Sequence, residues 1–343
     1  MVPIPGGSFW VGRSTPTFEE EENPRFRTKL PPFCAQPYEV TAAAYEACVT
    51  KGPCTPIALS NFTCNSASKG RGDHPANCVD HAQASAYCGG IGARLPTELE
   101  WEYLARGGAE MRAYPWGEAA PDDHACWKAN KSCKVGSYPA GAFGLYDVVG
   151  NVWEWTDSWF GPYPWPERSG RQKVYRGGSW SRRFEKWMAP TLRNRAAPKD
   201  AGSHLGFRCV QNQPGAECPY GRGEHGCKFG VDEVECLGKK IWNGARCAAP
   251  GDTARCAEGS HEVPGQGCQW HTKAPDVPSE LDLTAVQRTP SPQYDADCQT
   301  NQPARPHAYR LSGGEHLARN QVAREQGCKN RDVGVGWNSV CCP

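Results

Sequence analysis

Nineteen cysteines in a chain of 343 residues constrain the fold more than any other feature. None stands in a C-x-x-C pair, so their spacing offers no structural zinc site. Scattered thiols at this density would be a liability in a reducing cytosol, whereas joined in pairs they are the staples of exported proteins. The chain is therefore expected to be secreted, periplasmic or on a cell surface. It opens on Met1, Val2 and Pro3 without the charged and apolar regions of a leader, which fits that expectation if a leader has been removed. Nineteen is an odd number, so one thiol is expected to be free or to join another chain, a route to self-assembly.

The formal net charge is +1, and no global field draws the protein to nucleic acid or an anionic membrane. No apolar run approaches the roughly 18 residues that a membrane span needs. With 38 Gly, 30 Pro and a mean hydropathy of −0.66, the chain reads as folded but rich in loops. At ~150 residues per domain, its length predicts two domains. Composition changes near residue 213. Residues 1–213 hold most of the tryptophans and the clear helix signatures; residues 214–343 hold ten cysteines and few aliphatics. Cys218, Cys227, Cys236, Cys247, Cys256 and Cys268 recur at short intervals without a repeat motif, which predicts a stapled, loop-rich coil and no solenoid. Residues 272–311 are Pro-rich and polar, a strap or linker. Ser312 is placed to cap a short helix, and Cys341 and Cys342 are expected to tie the tail to two different places.

Three helices are legible in the first part. Thr41 precedes good helix formers that Gly52 and Pro53 end. Asp80 and Gln83 make a box-like start for a helix closed at Gly89 and Gly90. Thr97 and Glu100 form a capping box for a helix that reaches Gly107 and Gly108. Short strand-like pieces, such as Gly7–Val11 and Lys173–Arg176, alternate with Gly and Pro turns, so the fold class is α+β with little regular structure. The aromatics are expected mainly in the core. From Asp147 to Glu154, two carboxylates flank Gly150 and Asn151, a pattern that can wrap a loop around a hard cation or can simply be a capped turn.

Seven segments follow one another in a recognisable order. They are Val2-Pro-Ile-Pro-Gly-Gly-Ser-Phe-Trp, Tyr38-Glu-Val-Thr, Arg94-Leu-Pro-Thr-Glu-Leu-Glu-Trp-Glu-Tyr and Tyr114-Pro-Trp-Gly. Then come Phe143-Gly-Leu-Tyr-Asp-Val-Val-Gly-Asn-Val-Trp-Glu-Trp-Thr, Arg176-Gly-Gly-Ser-Trp and Leu205-Gly-Phe-Arg-Cys. Together they resemble the formylglycine-generating enzyme (sulfatase-modifying factor) family, whose fold is a decorated relative of the C-type lectin fold. The resemblance spans residues 2–209 and is silent on residues 214–343. It implies a structural calcium held by the side chains of Asp147 and Glu154 and the carbonyls of Gly150 and Val152. It also implies a Cys88–Cys209 disulfide, while a second family disulfide would fall at Ala105 and Leu192 and is lost. Cys48–Cys54, Cys126–Cys133 and Cys64–Cys78 are plausible on proximity, leaving Cys34 to reach the C-terminal region.

The same resemblance exposes a departure. The family's enzyme binds Cu(I) through two cysteines after the Gly-Gly-Ser-aromatic turn, because soft thiolates suit that ion. Those positions are Arg182 and Trp187 here, and no cysteine lies between Cys133 and Cys209. No copper is expected, and oxygen-dependent formylglycine formation is excluded. What remains is a face of cations among aromatics: Trp159, Tyr163, Trp165, Trp180, Arg182, Arg183, Trp187, Arg193 and Arg195. Such a face suits a glycan, a peptide or a protein partner at a cell surface, or it merely completes a loop-rich exterior. The expectation is a non-catalytic recognition or structural protein. The alternative is a copper-independent enzyme acting on a secreted peptide or secondary metabolite; the lone His204 near the former active site is its only histidine candidate.

Overall fold

A computed structural model describes residues 1–13, 20–58, 62–164, 169–223, 226–243, 247–249, 260–263 and 267–270. One compact unit comprises Met1–Trp242 with Cys247–Asp252, and a second comprises Asn243–Arg246 with Thr253–Pro343. In the second, the described strands are a hairpin of Ser260–Val263 with Gly267–Trp270. Trp165, the strap at 272–311, the helix from Ser312 and the Cys341-Cys342 tail lie outside the described residues.

The local signals set the helices. In α1 (Ala42–Lys51) the Thr41 hydroxyl accepts from Ala44 N, and Gly52 turns left-handed at φ 97° to end it. Reciprocal capping boxes start α2 (His81–Gly90), through Asp80 and Gln83, and α3 (Glu98–Ala105), through Thr97 and Glu100. The end of α2 differs from expectation, because Gly89 and Gly90 lie inside the helix and Ile91 caps it. At Gly90 a Cβ would come within 3.2 Å of Pro53 Cβ, so this glycine serves a close approach to the turn after α1 rather than a stop.

Nine short strands complete the family segment: β1 (Val2–Ile4), β2 (Gly7–Val11), β3 (Arg25–Leu30), β4 (Phe33–Ala35), β5 (Trp153–Trp159), β6 (Lys173–Arg176), β7 (Asn194–Ala196), β8 (Leu205–Gly206) and β9 (Val210–Asn212). They form a β1-β4-β9 sheet, a sheet containing β3-β2, and a four-stranded sheet ordered β7-β6-β5-β8, in which β8 runs parallel to β5. The core has two clusters. One gathers Phe9, Phe26, Phe33, Trp101 and Leu104 beneath β2, β3 and α3. The other gathers Tyr45, Tyr87, Leu95, Trp153, Trp155 and Phe207 between α1, α2 and the four-stranded sheet.

The composition change at residue 213 does not end this unit. Beyond it, β10 (Arg222–Gly223) and β11 (Gly226–Cys227) form a hairpin, and β12 (Glu233–Glu235) adds to the free side of β3. β13 (Ile241–Trp242) pairs with β14 (Cys247–Ala248). The stretch read as coil is thus a series of small hairpins. Phe229 sets its edge on Phe26 at 6.1 Å, and Thr28 donates to the Gly230 carbonyl at 2.7 Å. Disulfides join Cys48–Cys54, Cys64–Cys78, Cys88–Cys209, Cys126–Cys133, Cys218–Cys227 and Cys236–Cys247. Cys34 is disulfide-bonded too.

Candidate functional site

The loop leading into β5 carries three left-handed residues, Asp147 (φ 53°), Gly150 (φ 96°) and Asn151 (φ 52°). Short polar side chains and glycine tolerate that conformation, which explains their presence. Asn151 is a fully buried hub. Its Nδ2 donates to Glu39 at 2.6 Å, its Oδ1 accepts from Cys133 N at 3.0 Å, and its backbone N donates to the Cys126 carbonyl at 2.9 Å. Its carbonyl accepts from Trp180 N at 2.8 Å. One residue thus joins the loop before β5, the Cys126–Cys133 loop and the turn after β6.

At the predicted cation ligands, both Glu154 oxygens accept from Arg208 and Oε2 also accepts from Trp101 Nε1 at 2.8 Å. Asp147 Oδ2 accepts from Gly136 N at 2.6 Å, while Oδ1 is buried without a partner. Burial raises the Asp147 carboxyl to about 6. Buried Glu39 rises well above the ordinary range, from burial first and then from the charges of Asp147 and Glu154. Arg208 bonds Glu154, and its charge also acts on Asp147 and Glu39, lowering both carboxyls against the effect of burial. The donor chemistry fits a hard ion on the Asp147 side. Glu154 is already engaged, and among the described residues no group of three His, Cys, Asp or Glu side chains is arranged to hold a metal.

The predicted ligand face divides in two. Tyr163 and Arg193 are buried: Arg193 is 5% exposed, makes a two-pronged bond to Glu98 at 2.7 and 2.9 Å, and lies 3.9 Å over the Tyr163 ring. The reason is α3, whose Glu98 and Glu102 point inward. Arg176 pairs with both, at 3.1 Å to Glu98 and through a very short contact to Glu102. Burial alone would raise the Glu98 carboxyl, yet Arg193 and Arg176 outweigh it and hold it below its ordinary value. Arg195 stacks at 3.9 Å on Phe160 and pairs with Glu21, and the half-buried Trp159 carries the Lys173 ammonium 4.1 Å over its ring.

Trp180, Arg182, Arg183 and Trp187 stay together on the other side, with Arg183 exposed. Gly177 (φ 103°) and Gly178 (φ 75°) make the turn, and a Cβ on Gly178 would lie 2.7 Å from the Trp187 carbonyl. Only glycine lets these two backbones meet. Trp180 Nε1 donates to the Ser203 carbonyl at 3.2 Å. The Arg182 guanidinium sits 5.5 Å from the Trp153 ring and 4.9 Å from the Trp187 ring. Sequence reasoning named His204 as a neighbour and missed two others, Trp153 and Tyr175. Trp153 and Tyr175 pack edge to face at 5.2 Å, and the His204 carbonyl accepts from Trp153 N at 2.8 Å. Burial and then the Arg182 charge keep the His204 imidazole below its ordinary pKa. All four residues of β6 are buried, and nothing in sequence marks Tyr175 as lying near Arg182.

Comparison with known proteins accords with this architecture. The sulfatase-modifying factor enzyme 1-like domain matches residues 1–213. Formylglycine-generating enzyme of Bos taurus is 29% identical over 276 residues, covering 61% of this chain and 74% of its own length. Inactive C-alpha-formylglycine-generating enzyme 2 of Mus musculus is 29% identical over 269 residues, covering 62% of this chain and 85% of its own. Among solved structures, PvdO from Pseudomonas aeruginosa superposes with a TM-score of 0.52 at 27% identity, covering 61% of this chain and 93% of its own. With the domain matched over residues 1–213, more than half of the chain, and the motif-bearing turns folded into one unit, the chain belongs to the sulfatase-modifying factor (formylglycine-generating enzyme) family.

Proposed function

We propose that this protein is a non-catalytic recognition module of the family, exported or displayed at a cell surface, binding a glycan, peptide or protein. The observation that carries the reading is Arg182. Where the family's oxygen chemistry requires a thiolate, a guanidinium lies beside Trp153 and Trp187. A hard, fully protonated cation does not ligate Cu(I), and an aromatic-lined arginine is a common anchor in recognition. The mouse relative named inactive supports a scaffold retained without the enzyme's reaction. Six disulfides among the described residues support an oxidising compartment. The odd cysteine count supports linkage to a second chain, including a second copy.

A structural calcium held by Asp147 with the carbonyls of Gly150 and Val152 belongs to the same reading, supported by the unpartnered Asp147 Oδ1, while Glu154, engaged by Arg208 and Trp101, stands outside the ligand set. When bound it would supply positive charge for the loop that positions Asn151 and Trp153. The test is a binding screen of the purified oxidised chain against glycan and peptide arrays, beside incubation of a cysteine-containing substrate peptide with Cu(I) and oxygen. Retention of a ligand with no aldehyde formed is the expected result. Aldehyde formation, or a strictly monomeric protein that retains nothing, would sink the reading.

A further inference from the structure

We propose that the cluster of Trp153, Tyr175, Arg182, Trp187 and His204 binds a carboxylate. This deepens the recognition reading above and rests on it.

The cluster is rich in donors. Trp153 is 0% exposed, and its indole Nε1–H is buried without an acceptor. Buried indole N–H groups ordinarily find a partner, because an unmade bond leaves the donor's desolvation uncompensated. Arg182 Nε–H is buried and unpartnered in the same way. No carboxylate forms an ion pair with Arg182 among the described residues, whereas the buried Arg176, Arg193 and Arg208 are each paired. The acids nearby in sequence or space are engaged. Glu185 accepts from the Tyr114 hydroxyl at 2.9 Å, and Asp200 accepts from Ala197 N at 2.9 Å. Tyr175 packs against Trp153, and burial keeps its phenol protonated, hence a donor. The His204 ring, kept neutral, adds one N–H.

A planar oxyanion answers this arrangement. Arginine's fork matches the two oxygens of a carboxylate, and a charged acceptor makes shorter and stronger bonds to N–H donors than a neutral one. The Trp153 and Trp187 rings beside Arg182 lower the local dielectric and strengthen the attraction. Lys186, 5.6 Å over the Trp187 ring, adds positive charge at the rim. Both an acidic sugar and a peptide's acidic side chain or C-terminus carry this group.

The experiment uses the whole oxidised chain with ¹⁵N-labelled tryptophan, following the Trp153 indole N–H resonance, assigned through Trp153→Phe. Sodium acetate at constant ionic strength is expected to shift it. Acetamide, neutral and of similar shape, should respond about ten-fold more weakly. Arg182→Gln should abolish the acetate response at an unchanged thermal midpoint, and Arg182→Lys should weaken it by losing the fork. An equal response to acetate and acetamide, or an unchanged one in Arg182→Gln, overturns the proposal. Arrays then name the source. Retention of uronic or sialic acid glycans, or of acidic peptides, by wild type and not by Arg182→Gln supports it. Neutral ligands held equally by both proteins overturn the carboxylate and leave recognition standing. No retention in any arm, with no acetate response, overturns both.

Discussion

Glu98 accepts from Arg176 and Arg193 inside the protein, at 3.1, 2.7 and 2.9 Å. Replacing it with Ala would strand two buried guanidinium groups, and removing one partner of a buried ion pair costs about 3–5 kcal/mol. Urea unfolding of the oxidised Glu98→Ala chain should show a loss of that size, against under 1 kcal/mol or so for an exposed pair such as Lys128–Asp122. The histidines give a pH-dependent counterpart. His81 is buried, its Nε2 lies 3.0 Å from the Thr156 carbonyl, and burial followed by the Lys173 charge lowers its pKa from 6.5. The unfolded chain therefore takes up this proton first, and the stability His81 contributes is present above pH 6.5 and lost as the pH falls below it. The stability difference between wild type and His81→Gln should shrink on acidification from about pH 7.5 to about pH 5.5, with a slope no steeper than about 1.4 kcal/mol per pH unit, the limit for one proton. At this scale, residue types were legible and burial was not. The mixture of Tyr163, Arg193 and their neighbours reads as a surface from composition. Only the inward placement of Glu98 and Glu102, spaced one turn apart on α3, draws the arginines inside.

Elements were legible where a side chain closes a helix end, as at Thr41, Asp80 and Thr97. They were illegible where a distant partner decides, as at Gly90 beside Pro53 or at the hairpins after residue 213. The short Cys126–Cys133 loop illustrates the second kind. Its Lys128 N donates to the Arg182 carbonyl at 2.9 Å and its Ala129 N to the Trp180 carbonyl at 2.8 Å. The disulfide thus braces the very segment that carries Arg182. Replacing both cysteines with Ser removes a small-loop crosslink worth about 2–3 kcal/mol. Hydrogen exchange should report lost protection at the Lys128 and Ala129 amides, with the α3 amides far less affected. Equal loss in both places would mean the loop is simply part of the global core.

Across the whole molecule, the domain matched by the family and the compact unit are different lengths, 1–213 against Met1–Trp242 with Cys247–Asp252. Motif order made the scaffold readable from Val2 to Cys209, but the family pattern carries no information about what is appended to it. The appended piece is anchored by Phe229 on Phe26, by Thr28 on Gly230 and by the Tyr220 hydroxyl, which accepts from Lys29 N at 2.9 Å and donates to Asp232 at 2.8 Å. A chain ended after residue 213 should unfold several degrees below one ended after residue 252, measured by calorimetry on oxidised samples, since one or two kcal/mol shifts a domain of this size by about 2–8 °C. Strand β3 gives the shorter chain a further property. Its alternating residues Phe26, Thr28 and Leu30 face the core while its backbone meets β12 on one side and β2 on the other. Cutting away β12 turns β3 from an interior strand into an open edge, the template on which β proteins aggregate. A fragment cloned to the family limits would then self-associate through that edge, and its oligomers would reflect where the chain was cut.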